Sequence, residues 1–485
     1  MHLMLCRALL TENAAGVIHV DGLVNIDSGE IYSLSAIISL RETIYVDDLS
    51  VLFPALVKVL LFAGYTNVAK APRRMQFISG ASNGSAAYVL TGDGLEVIDF
   101  KAKFGQSMPE LDEAKHLINY ARKMRRDKRT VGSDAYAEFL RTLHRPKENE
   151  FANYGLAREI MPKLDISFRR AKQAVTGYQY AREGNYSSAF AYDISSSYPA
   201  AALGDLPYKQ PTIIEGAARP SGNHWNIYHF SYFGKDLKPG HIDWHRTPSE
   251  GYDVLTQRLF EVLQEDYTFD RIVVSKTISF RTRKSFLERF YASTVVRGKF
   301  SEDRPYIKAY NKAIGNALVG MFGRNAKSSI DTYALEGEKV VCKPQSLRLD
   351  ELYCPIYLCV LDRAKSRHLR ALRYIGADNL IYANTDSAFT RRPIDLERLN
   401  FGIASEAKLG RWRLQYEFDD LCIRGINAYA GHTVHDEYVN TLAGVPLTHR
   451  ITVDEFRNAS YTYTLRVLND DFEIVNVRIG HDHDA

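Results

Sequence analysis

The sequence predicts an α+β protein of several subdomains in which an antiparallel sheet carries the chemistry. Two apolar segments of strand character, Phe190–Ile194 and Leu380–Phe389, each present an aspartate near a polar tip, Asp193 and Asp386. Between them lies a basic segment with helical spacing and several glycines, Lys308–Gly323. Two carboxylates at strand ends, with a basic helix between them in the chain, are suited to holding cations and phosphate groups.

The composition is that of a globular protein and excludes several other classes. The chain has 485 residues, of which 45% are hydrophobic and 25% charged, enough for several cores. A net charge of +4 is too small to indicate a nucleic-acid partner, so that argument must rest on local clusters. The five cysteines form no ligand pairs or disulfide framework, which indicates a reducing, cytoplasmic setting. No apolar run of 18 residues and no leader signature is present, so we expect no membrane partner.

The first 150 residues alternate strands and helices and are predicted to form one α/β unit. Strands are expected at residues 16–20, 30–40, 87–90 and 95–100, and helices at 48–62 and 111–126. The second helix ends in a basic cluster, Arg122–Arg129, which is either a solvated helix end or a DNA contact.

Asp193 is followed by residues that can bind phosphate. A strand is predicted to deliver Asp193, and three serines with free backbone amides come next: Ser195, Ser196 and Ser197. A metal ion needs the hard carboxylate oxygen, whereas phosphates need the amides. One carboxylate does not make a site for two metal ions, so Asp386 is the expected partner.

The helix between the two strands has one face suited to a nucleotide. Four of its residues recur every fourth position and therefore share a face: Lys308, Lys312, Asn316 and Gly320. Each glycine in this helix costs about 1 kcal/mol relative to alanine. Close approach of a nucleotide base pair to the helix backbone would explain the glycines at 315, 320 and 323, whereas a plain basic surface helix would leave them unexplained.

In this order, the three segments resemble the polymerase motifs of family B DNA polymerases. Motif A of that family, D-x-x-S-L-Y-P, is matched by Asp193, Ser196, Tyr198 and Pro199. Motif B, K-x-x-x-N-S-x-Y-G, is matched by Lys312, Asn316 and Gly320. Motif C, Y-x-D-T-D-S, is matched by Tyr382, Thr385, Asp386 and Ser387. Three motifs in order are much stronger evidence than any one of them.

Within family B, the chain resembles the protein-primed polymerases of bacteriophages and linear plasmids. The turn Leu206–Pro211 and the long interval between motifs A and B are similar to an insertion that docks the priming protein there. A predicted hairpin with its turn at Glu336–Glu338 is similar to an element that gives those enzymes processivity and strand displacement.

The resemblance implies a right-hand polymerase, whose palm has an antiparallel sheet, with fingers and a thumb, preceded by an α/β exonuclease-like domain. The expected division is a degenerate exonuclease-like domain at 1–150, a linker at 151–188, a palm with motif A and the insertion at 189–280, fingers at 281–323, a hairpin insertion at 324–352, a palm with motif C at 353–415 and a thumb at 416–485.

The resemblance also implies roles for single residues. The expected catalytic residues are Asp193, Asp386 and Lys312, with two Mg²⁺ or Mn²⁺ ions held by the two aspartates and the Ile194 carbonyl. The expected nucleotide-binding residues are Ser195, Ser196, Ser197, Tyr198, Lys308, Lys312, Asn316 and Gly320. Tyr198 would stack under the sugar and exclude a ribose hydroxyl. The expected DNA-binding residues are Gly177, Thr385, Ser387, Lys408 and Tyr429.

The sequence departs from the family pattern in the polymerase motifs. Val319 replaces the motif B tyrosine that packs against the incoming nucleotide, which predicts weaker nucleotide binding or relaxed fidelity. Asn384 replaces the first aspartate of motif C, which predicts a slower or Mn²⁺-preferring enzyme. Asn427 replaces the lysine of the primer-gripping K-x-Y, whose tyrosine is kept as Tyr429.

The proofreading signatures are also missing. The early strand His19–Leu23 has no D-x-E, and Met124 stands where a later acid is needed. Asp21, Asp27, Glu30 and Asp99 are interpreted as surface or turn acids. Of the Y-x-G-G turn between the two activities, only Gly177 remains.

The predicted function is therefore template-directed addition of deoxynucleotides to a primer 3′-hydroxyl, on DNA or protein, without proofreading. The expected partners are primer–template DNA, deoxynucleoside triphosphates and a terminal protein. The enzyme is expected to be a monomer in the cytoplasm of a host cell. One alternative is a non-catalytic, polymerase-like protein that binds nucleic acid or a terminal protein. Another is an error-prone or terminal-transferase enzyme.

Overall fold

A computed structural model of the chain describes residues 3–13, 17–37, 40, 43–47, 49–63, 67–71, 74–78, 96–126, 128, 130–143, 164, 166–218, 222–299, 304–324, 327–348, 352–400, 409–442, 451–458, 462–468 and 473–480. The helices are α1 Leu34–Ile37, α2 Leu49–Phe62, α3 Phe100–Phe104, α4 Leu111–Lys123, α5 Val131–Thr142, α6 (166–174), α7 Ser197–Ala202, α8 Gln257–Asp266, α9 Glu288–Lys299, α10 Pro305–Phe322, α11 Pro355–Ile375, α12 Leu396–Leu399 and α13 Val453–Arg457. The strands are β1 Leu3–Glu12, β2 Val17–Asn25, β3 Ile31–Tyr32, β4 Thr43–Val46, β5 Asn67–Ala71, β6 Arg74–Ile78, β7 Glu96–Asp99, β8 Gln179–Ala181, β9 Gly184–Tyr186, β10 Ala189–Ile194, β11 Leu206–Pro207, β12 Thr212–Glu215, β13 His224–Phe233, β14 Asp236–Leu237, β15 Gly251–Thr256, β16 Tyr267–Thr268, β17 Arg271–Arg283, β18 Lys327–Glu336, β19 Lys339–Arg348, β20 Leu380–Asn384, β21 Ser387–Thr390, β22 Trp412–Gly425, β23 Ala428–Thr433, β24 Tyr438–Leu442, β25 Thr462–Leu468 and β26 Ile474–Gly480.

The N-terminal unit is built on a mixed sheet with the order β25-β26-β2-β1-β4-β7, and β3 pairs with β2. Strands β1, β4 and β7 run parallel, and β2 is antiparallel to β1. The predicted helices at 48–62 and 111–126 and the strands at 16–20 and 95–100 are confirmed. The strand expected at 30–40 is wrong, because β3 has two residues and α1 follows it. The strand expected at 87–90 lies outside the described residues.

A fully antiparallel sheet of eight strands holds the two motif aspartates. Its order is β24-β23-β22-β10-β21-β20-β8, with β9 paired to β22. Side chains alternate along β10: Ala189 and Ala191 pack on one face, whereas Tyr192 and Ile194 pack in the main core on the other. The alternation therefore places Asp193 on the face away from that core. The predicted antiparallel sheet with both motif strands is confirmed.

A five-stranded antiparallel sheet follows motif A, with the order β11-β17-β13-β15 and β12 on β17. Helix α8 joins it to α11 through the buried carboxylate of Asp362. That carboxylate accepts hydrogen bonds from Trp225 Nε1 (2.8 Å), Thr256 Oγ1 (2.7 Å) and the backbone amides of Arg258 and Leu259 at the start of α8. The carboxylate thus caps a helix to which it is not covalently adjacent.

Basic side chains of α11 make contacts inside the protein, although a basic helix of this kind is usually solvated. Lys365 Nζ donates to the Ala174 carbonyl at 2.7 Å, and burial lowers the pKa of Lys365 to about 8. Arg370 forms a bidentate pair with Glu265 of α8. The reason is that α11 is contacted by α7, α8 and α10, so its basic side chains lie in the seams between helices.

The predicted hairpin is confirmed as β18 and β19, joined by a turn with Gly337 at φ +66°. The hairpin is not isolated, because β18 pairs with β5 in a four-stranded sheet of order β19-β18-β5-β6. Tyr333 is 4% exposed and its ring lies 5.2 Å from that of Phe53 in α2. The insertion is therefore attached to the N-terminal unit by backbone pairing and by aromatic packing.

The segment 416–485, expected to be a thumb, contributes strands to two different sheets. Strands β22–β24 continue the sheet that contains β10, and β25–β26 join the N-terminal sheet through β2. A partly exposed ion pair between Lys58 and Glu473 (3.7 Å) lies at this junction. Helix α13 follows β24 in the chain, and Thr452 and Glu455 form its capping box.

The basic cluster Arg122–Arg129 is partly structural. Arg126 is 1% exposed, donates to Glu138 (2.7 Å) and donates to Asn311 of α10 (2.9 Å). Both interpretations of the cluster, a solvated helix end and a DNA contact, are therefore wrong for Arg126. Arg122 and Arg125 are exposed, and Asp127 and Arg129 lie outside the described residues. Within the part of the chain that the structure describes, no helix is both long and apolar enough to cross a lipid bilayer.

Candidate active site

The two motif aspartates are brought together by strand pairing. Asp193 of β10 lies opposite Ser387 of β21, one residue from Asp386. The Ile194 amide donates to the Asp386 carbonyl at 3.0 Å. The turn between β20 and β21 is tight, since Thr385 has φ +56° and its amide donates to the Tyr178 carbonyl (3.0 Å). The sequence prediction that Asp193 and Asp386 share a site agrees with this geometry.

The electrostatics of the site centre on Asp386. Burial and the nearby charge of Asp193 raise its pKa to about 6, and the ammonium group of Lys312 opposes that shift. The three groups therefore act on one another within a single site. Two carboxylates that repel each other are stabilised by a cation between them.

The donor set fits divalent metal ions of the Mg²⁺ class. Asp193 and Asp386 supply hard carboxylate oxygens, and the Ile194 carbonyl belongs to the same strand end. Among the described residues, no cluster of three His, Cys, Asp or Glu side chains is placed to hold a metal. Further ligands would be water and phosphate oxygens, as is usual for Mg²⁺.

Arg413 is a site residue that the sequence analysis missed. Its Nη2 lies 3.2 Å from Asp193 Oδ2, and Arg413 lies opposite Asp193 in the pairing of β22 with β10. The side chain is 61% exposed, so the ion pair is weak, about 0–1 kcal/mol. A cation at Asp193 would share or displace this guanidinium. No local sequence signal indicates the contact, because it depends on the register of β22.

The predicted face of α10 is confirmed by exposure. Lys308, Lys312, Asn316 and Gly320 are exposed, whereas the opposite side of the helix is buried. A Cβ atom at Gly320 would meet nothing within 4 Å, so open space lies in front of it. The other two glycines have a different explanation. Gly315 is buried against Tyr291, and a Cβ at Gly323 would lie 2.4 Å from the Tyr357 ring.

Val319 is 2% exposed and belongs to the core, so it does not line the open space beside Gly320. An aromatic side chain comes instead from α11: Tyr357 packs on Gly323 at the end of α10. Burial, Asp386 and Tyr357 together raise the pKa of Tyr198, which places the two tyrosines in one neighbourhood. The sequence analysis missed Tyr357, because it lies in a helix with no motif of its own.

The three serines after Asp193 are not equivalent. The Ser195 amide already donates to the Arg411 carbonyl at 2.9 Å, so it is not free for a phosphate, which corrects the expected cradle of three amides. Ser196 has φ +50° and precedes α7, which begins at Ser197. The amides of Ser196 and Ser197 thus remain candidates for phosphate binding.

The residues expected to bind DNA mainly shape the motif C turn. A Cβ at Gly177 would lie 2.5 Å from Thr385 Oγ1, so only glycine allows this approach. Ser387 Oγ donates to the Asn384 carbonyl at 3.1 Å. Tyr429 is half-buried, with its ring 5.4 Å from Tyr382. Lys408 lies outside the described residues.

Two departures from the family motifs contact each other. Asn384 Nδ2 donates to Asn427 Oδ1 at 2.6 Å, and Gln179 Nε2 donates to Asn384 Oδ1 at 3.3 Å. Asn427 has φ +55° in the turn between β22 and β23. An uncharged amide pair therefore occupies two positions at which the family has an aspartate and a lysine.

The acids of the N-terminal unit are dispersed. Asp21 is exposed, Asp27 pairs with Lys115, and Glu30 accepts from Tyr32 at 2.6 Å. Asp99 accepts from the Leu49 amide at 3.2 Å, at the start of α2. These contacts agree with the prediction of surface and turn acids for Asp21, Asp27 and Glu30, whereas Asp99 is half-buried at the end of β7 and accepts at the start of α2.

Comparison with known proteins adds an independent line of evidence. Residues 113–352 match the family model described as DNA polymerase type B, organellar and viral. That range contains Asp193 and Lys312 and ends before Asp386. No curated protein matches the sequence at a significant level.

The fold is similar to that of solved polymerases. The structure of Phi29 DNA polymerase complexed with primer–template DNA and incoming nucleotide substrates has a TM-score of 0.78 and 15% identity, covering 99% of each chain. The structure of the same polymerase complexed with single-stranded DNA gives 0.77 and 16%, covering 99% of this chain and 100% of that one. The likeness shows a right-hand polymerase architecture with an exonuclease-like unit.

Proposed function

Because this chain belongs to the type B DNA polymerases and is a DNA-directed DNA polymerase, we propose that it extends primer 3′-hydroxyls by metal-dependent nucleotidyl transfer at Asp193 and Asp386. The observation that carries the proposal is the pairing of β10 with β21. That pairing sets the two carboxylates side by side, with Lys312 close enough to act on the pKa of Asp386. Among the described residues, no group of three or more His, Cys, Asp or Glu side chains offers a rival metal site.

Each residue has a stated role. Ionised Asp193 and Asp386, with the Ile194 carbonyl, would hold two divalent ions, Mg²⁺ or Mn²⁺. When bound, these would supply activation of the primer hydroxyl and charge neutralisation at the leaving pyrophosphate. Lys312 and Lys308 meet the triphosphate as point charges. Tyr198 lies under the sugar and excludes a ribose hydroxyl, and Asn316 and Gly320 leave room for the base pair.

The priming partner is a terminal protein whose hydroxyl replaces that of a DNA primer. The full-length likeness to Phi29 DNA polymerase and the sheet β11–β17 inserted after motif A support this proposal. Primer–template DNA and deoxynucleoside triphosphates are the other partners. We place a monomeric enzyme in the cytoplasm of the cell that hosts the encoding element.

The enzyme lacks proofreading. The dispersed contacts of Asp21, Asp27, Glu30 and Asp99 support this proposal, because exonuclease chemistry needs carboxylates that converge on two metal ions. The expected result is that a labelled primer is not shortened when nucleotides are omitted.

The test is extension of a labelled primer–template by the purified chain with Mg²⁺ and with Mn²⁺. We expect template-directed extension that is lost, by at least 1,000-fold, in Asp386→Ala and in Asp193→Ala. Asp378→Ala is the matched control, because Asp378 is an exposed aspartate in the turn just before β20, the strand that leads to Asp386. DNA binding without incorporation under either metal would favour the non-catalytic alternative, and template-independent addition would favour a terminal transferase.

A further inference from the structure

A cavity of about 650 Å³ lies between helices α7, α8, α11 and α12, beside Trp412. Its lining includes five arginines: Arg258, Arg363, Arg367, Arg370 and Arg398. Among the described residues, no aspartate or glutamate lines it. Asp193, Asp386, Lys312 and Tyr198 are absent from its lining, and of the residues expected to bind nucleotide only Ser197 belongs to it, so the cavity lies next to the polymerase site.

Two of the five arginines are held by the protein itself. Arg363 donates to the carbonyl oxygens of Ala201 (3.3 Å) and Asp205. Arg370 pairs with Glu265 at 2.7 Å and with Glu261 at 3.6 Å. The charge of Arg370 is therefore compensated, and Arg363 serves to join α11 to the end of α7.

The other three arginines form no ion pair with a carboxylate among the described residues. Arg367 is the most constrained of them: its Nη2 is buried and has no hydrogen-bond partner, and burial lowers its pKa. Arg398 packs over the ring of Tyr374 at 5.0 Å. Arg258 lies near enough to Asp362 to lower the pKa of that carboxyl group. The Asp362 carboxylate, however, already accepts hydrogen bonds from Trp225, Thr256 and two backbone amides.

Three guanidinium groups around one recess repel one another, and a buried N–H group without a partner costs about 1–3 kcal/mol. An anion that accepts several N–H bonds would remove both penalties. Planar guanidinium groups match phosphate oxygens in pairs, which makes phosphate the best-fitting anion. A recess of this volume, lined by four helices and open to solvent, has room for one small molecule.

We propose that this cavity binds a small phosphate-bearing anion, pyrophosphate or the polyphosphate of a nucleotide, through Arg258, Arg367 and Arg398. Occupancy links α8 and α12 to α11, which also carries Tyr357. The site is thus placed to stiffen the helices behind the nucleotide pocket, through arginines that are not among the residues proposed to bind the incoming nucleotide.

The test is calorimetric titration of the full chain with pyrophosphate in EDTA. A Lys312→Ala background is used, so that neither metal nor the catalytic phosphate contact contributes. We expect saturable binding of one equivalent, and at least a tenfold loss of affinity in Arg258→Met/Arg398→Met. Both side chains are exposed, so the fold should persist, and Arg271→Met, an exposed arginine of β17 far from the lining, is the matched control. Pyrophosphate should also raise the unfolding temperature of the background chain but not of the double variant.

Further arms distinguish the source of the phosphate. Inorganic phosphate, a deoxynucleoside triphosphate and a single-stranded oligonucleotide are titrated in the same way. Arginine-dependent binding of the oligonucleotide alone would overturn the proposal in favour of a nucleic-acid surface. No binding, or binding that the double variant leaves unchanged, would also overturn it. These outcomes are independent of primer extension, which is measured separately with metal.

Discussion

The pKa of Asp386 is shifted strongly by the residues around it in the site. Its folded-state pKa of about 6 lies above the ordinary value of 3.8, because burial and Asp193 both oppose its charge. A raised carboxyl pKa means that ionisation lowers stability at every pH above about 6, and that this cost disappears as the pH falls towards 4. The metal binding proposed for Asp386 needs the ionised form, so the proposed function and stability are in conflict at this position.

We therefore expect Asp386→Asn to abolish primer extension and to raise the free energy of unfolding at pH 8 by roughly 1–3 kcal/mol. The stability difference should vanish near pH 4, where Asp386 is protonated in the wild type. Extension by the wild-type chain should fall as the pH drops through about 6, because protons then compete with metal at this carboxylate. Denaturant titrations at pH 4, 6 and 8 measure the difference in the free energy of unfolding, and primer extension over the same pH range measures the loss of activity.

Asp378→Asn provides the control for a change of charge alone, since Asp378 is exposed. Equal stabilisation by the two variants, or a pH-independent effect of Asp386→Asn, would contradict this account.

The contact between Asn384 and Asn427 gives a physical reason to treat two motif departures as one change. A single Asn384→Asp would add a third carboxylate beside Asp386 and should destabilise the fold at pH 8. Adding Asn427→Lys supplies a cation at the position of the present 2.6 Å hydrogen bond. We expect the double variant to recover stability, with a coupling energy of about 1–3 kcal/mol in a double-mutant cycle.

Denaturant unfolding of the wild type, both single variants and the double variant measures that coupling. Single effects that add to within about 0.5 kcal/mol would mean that the two positions changed independently.

At the scale of elements, α10 is positioned by a buried polar network rather than by apolar packing alone. Arg126 connects Glu138 of α5 to Asn311 of α10, and Lys103 pairs with Asp134, which also accepts from Tyr310 of α10 at 3.2 Å. The exposed face that carries Lys312 is therefore fixed from the N-terminal unit. This network gives that unit a role in positioning α10.

Replacing Arg126 by Met should lower the free energy of unfolding by about 3–5 kcal/mol, because buried Glu138 loses the guanidinium that pairs with it. The matched control is Arg122→Met, which removes an exposed arginine at the end of α4, four residues before Arg126. Adding Glu138→Leu to Arg126→Met should restore much of the loss, since the buried carboxylate that lost its guanidinium is then removed as well. A loss of less than 1 kcal/mol would show that the network does not hold α10.

At the scale of the whole molecule, two segments that are distant in the sequence pair with strands of the N-terminal unit. Hairpin β18–β19 pairs with β5, and β26 pairs with β2, so segments from the middle and the end of the sequence complete N-terminal sheets. Pairings of such large sequence separation are slow to form but join the units into one structure.

Tyr333→Ala should release the hairpin from α2, because it removes the buried ring that contacts Phe53. We expect faster amide hydrogen exchange at residues 331–333, with protection of the sheet around β10 unchanged. Lys343→Ala in the same hairpin is the control, since its ammonium group pairs with an exposed Glu336. Unchanged exchange in Tyr333→Ala would mean that backbone pairing with β5 suffices to hold the hairpin.

Local pattern was sufficient for the features that depend on neighbouring residues in the chain. The alternation around Asp193, the four-residue repeat of Lys308, Lys312, Asn316 and Gly320, and the turn at Gly337 each predicted an element that the structure contains. These signals are reliable because the periodicity of a helix or strand decides which side chains share a face. The order of the three motifs then indicated the family.

Contacts between distant segments were decided only by the tertiary structure. The ion pair of Arg413 with Asp193, the place of Tyr357 beside Gly323 and the burial of Arg126 depend on strand register and helix packing, which no short pattern contains. The arginines of α11 are a further example, because the neighbouring helices α7, α8 and α10 enclose them and helical periodicity alone does not predict this. The sequence by itself thus determined the elements and the pair of aspartates, whereas packing decided what surrounds them.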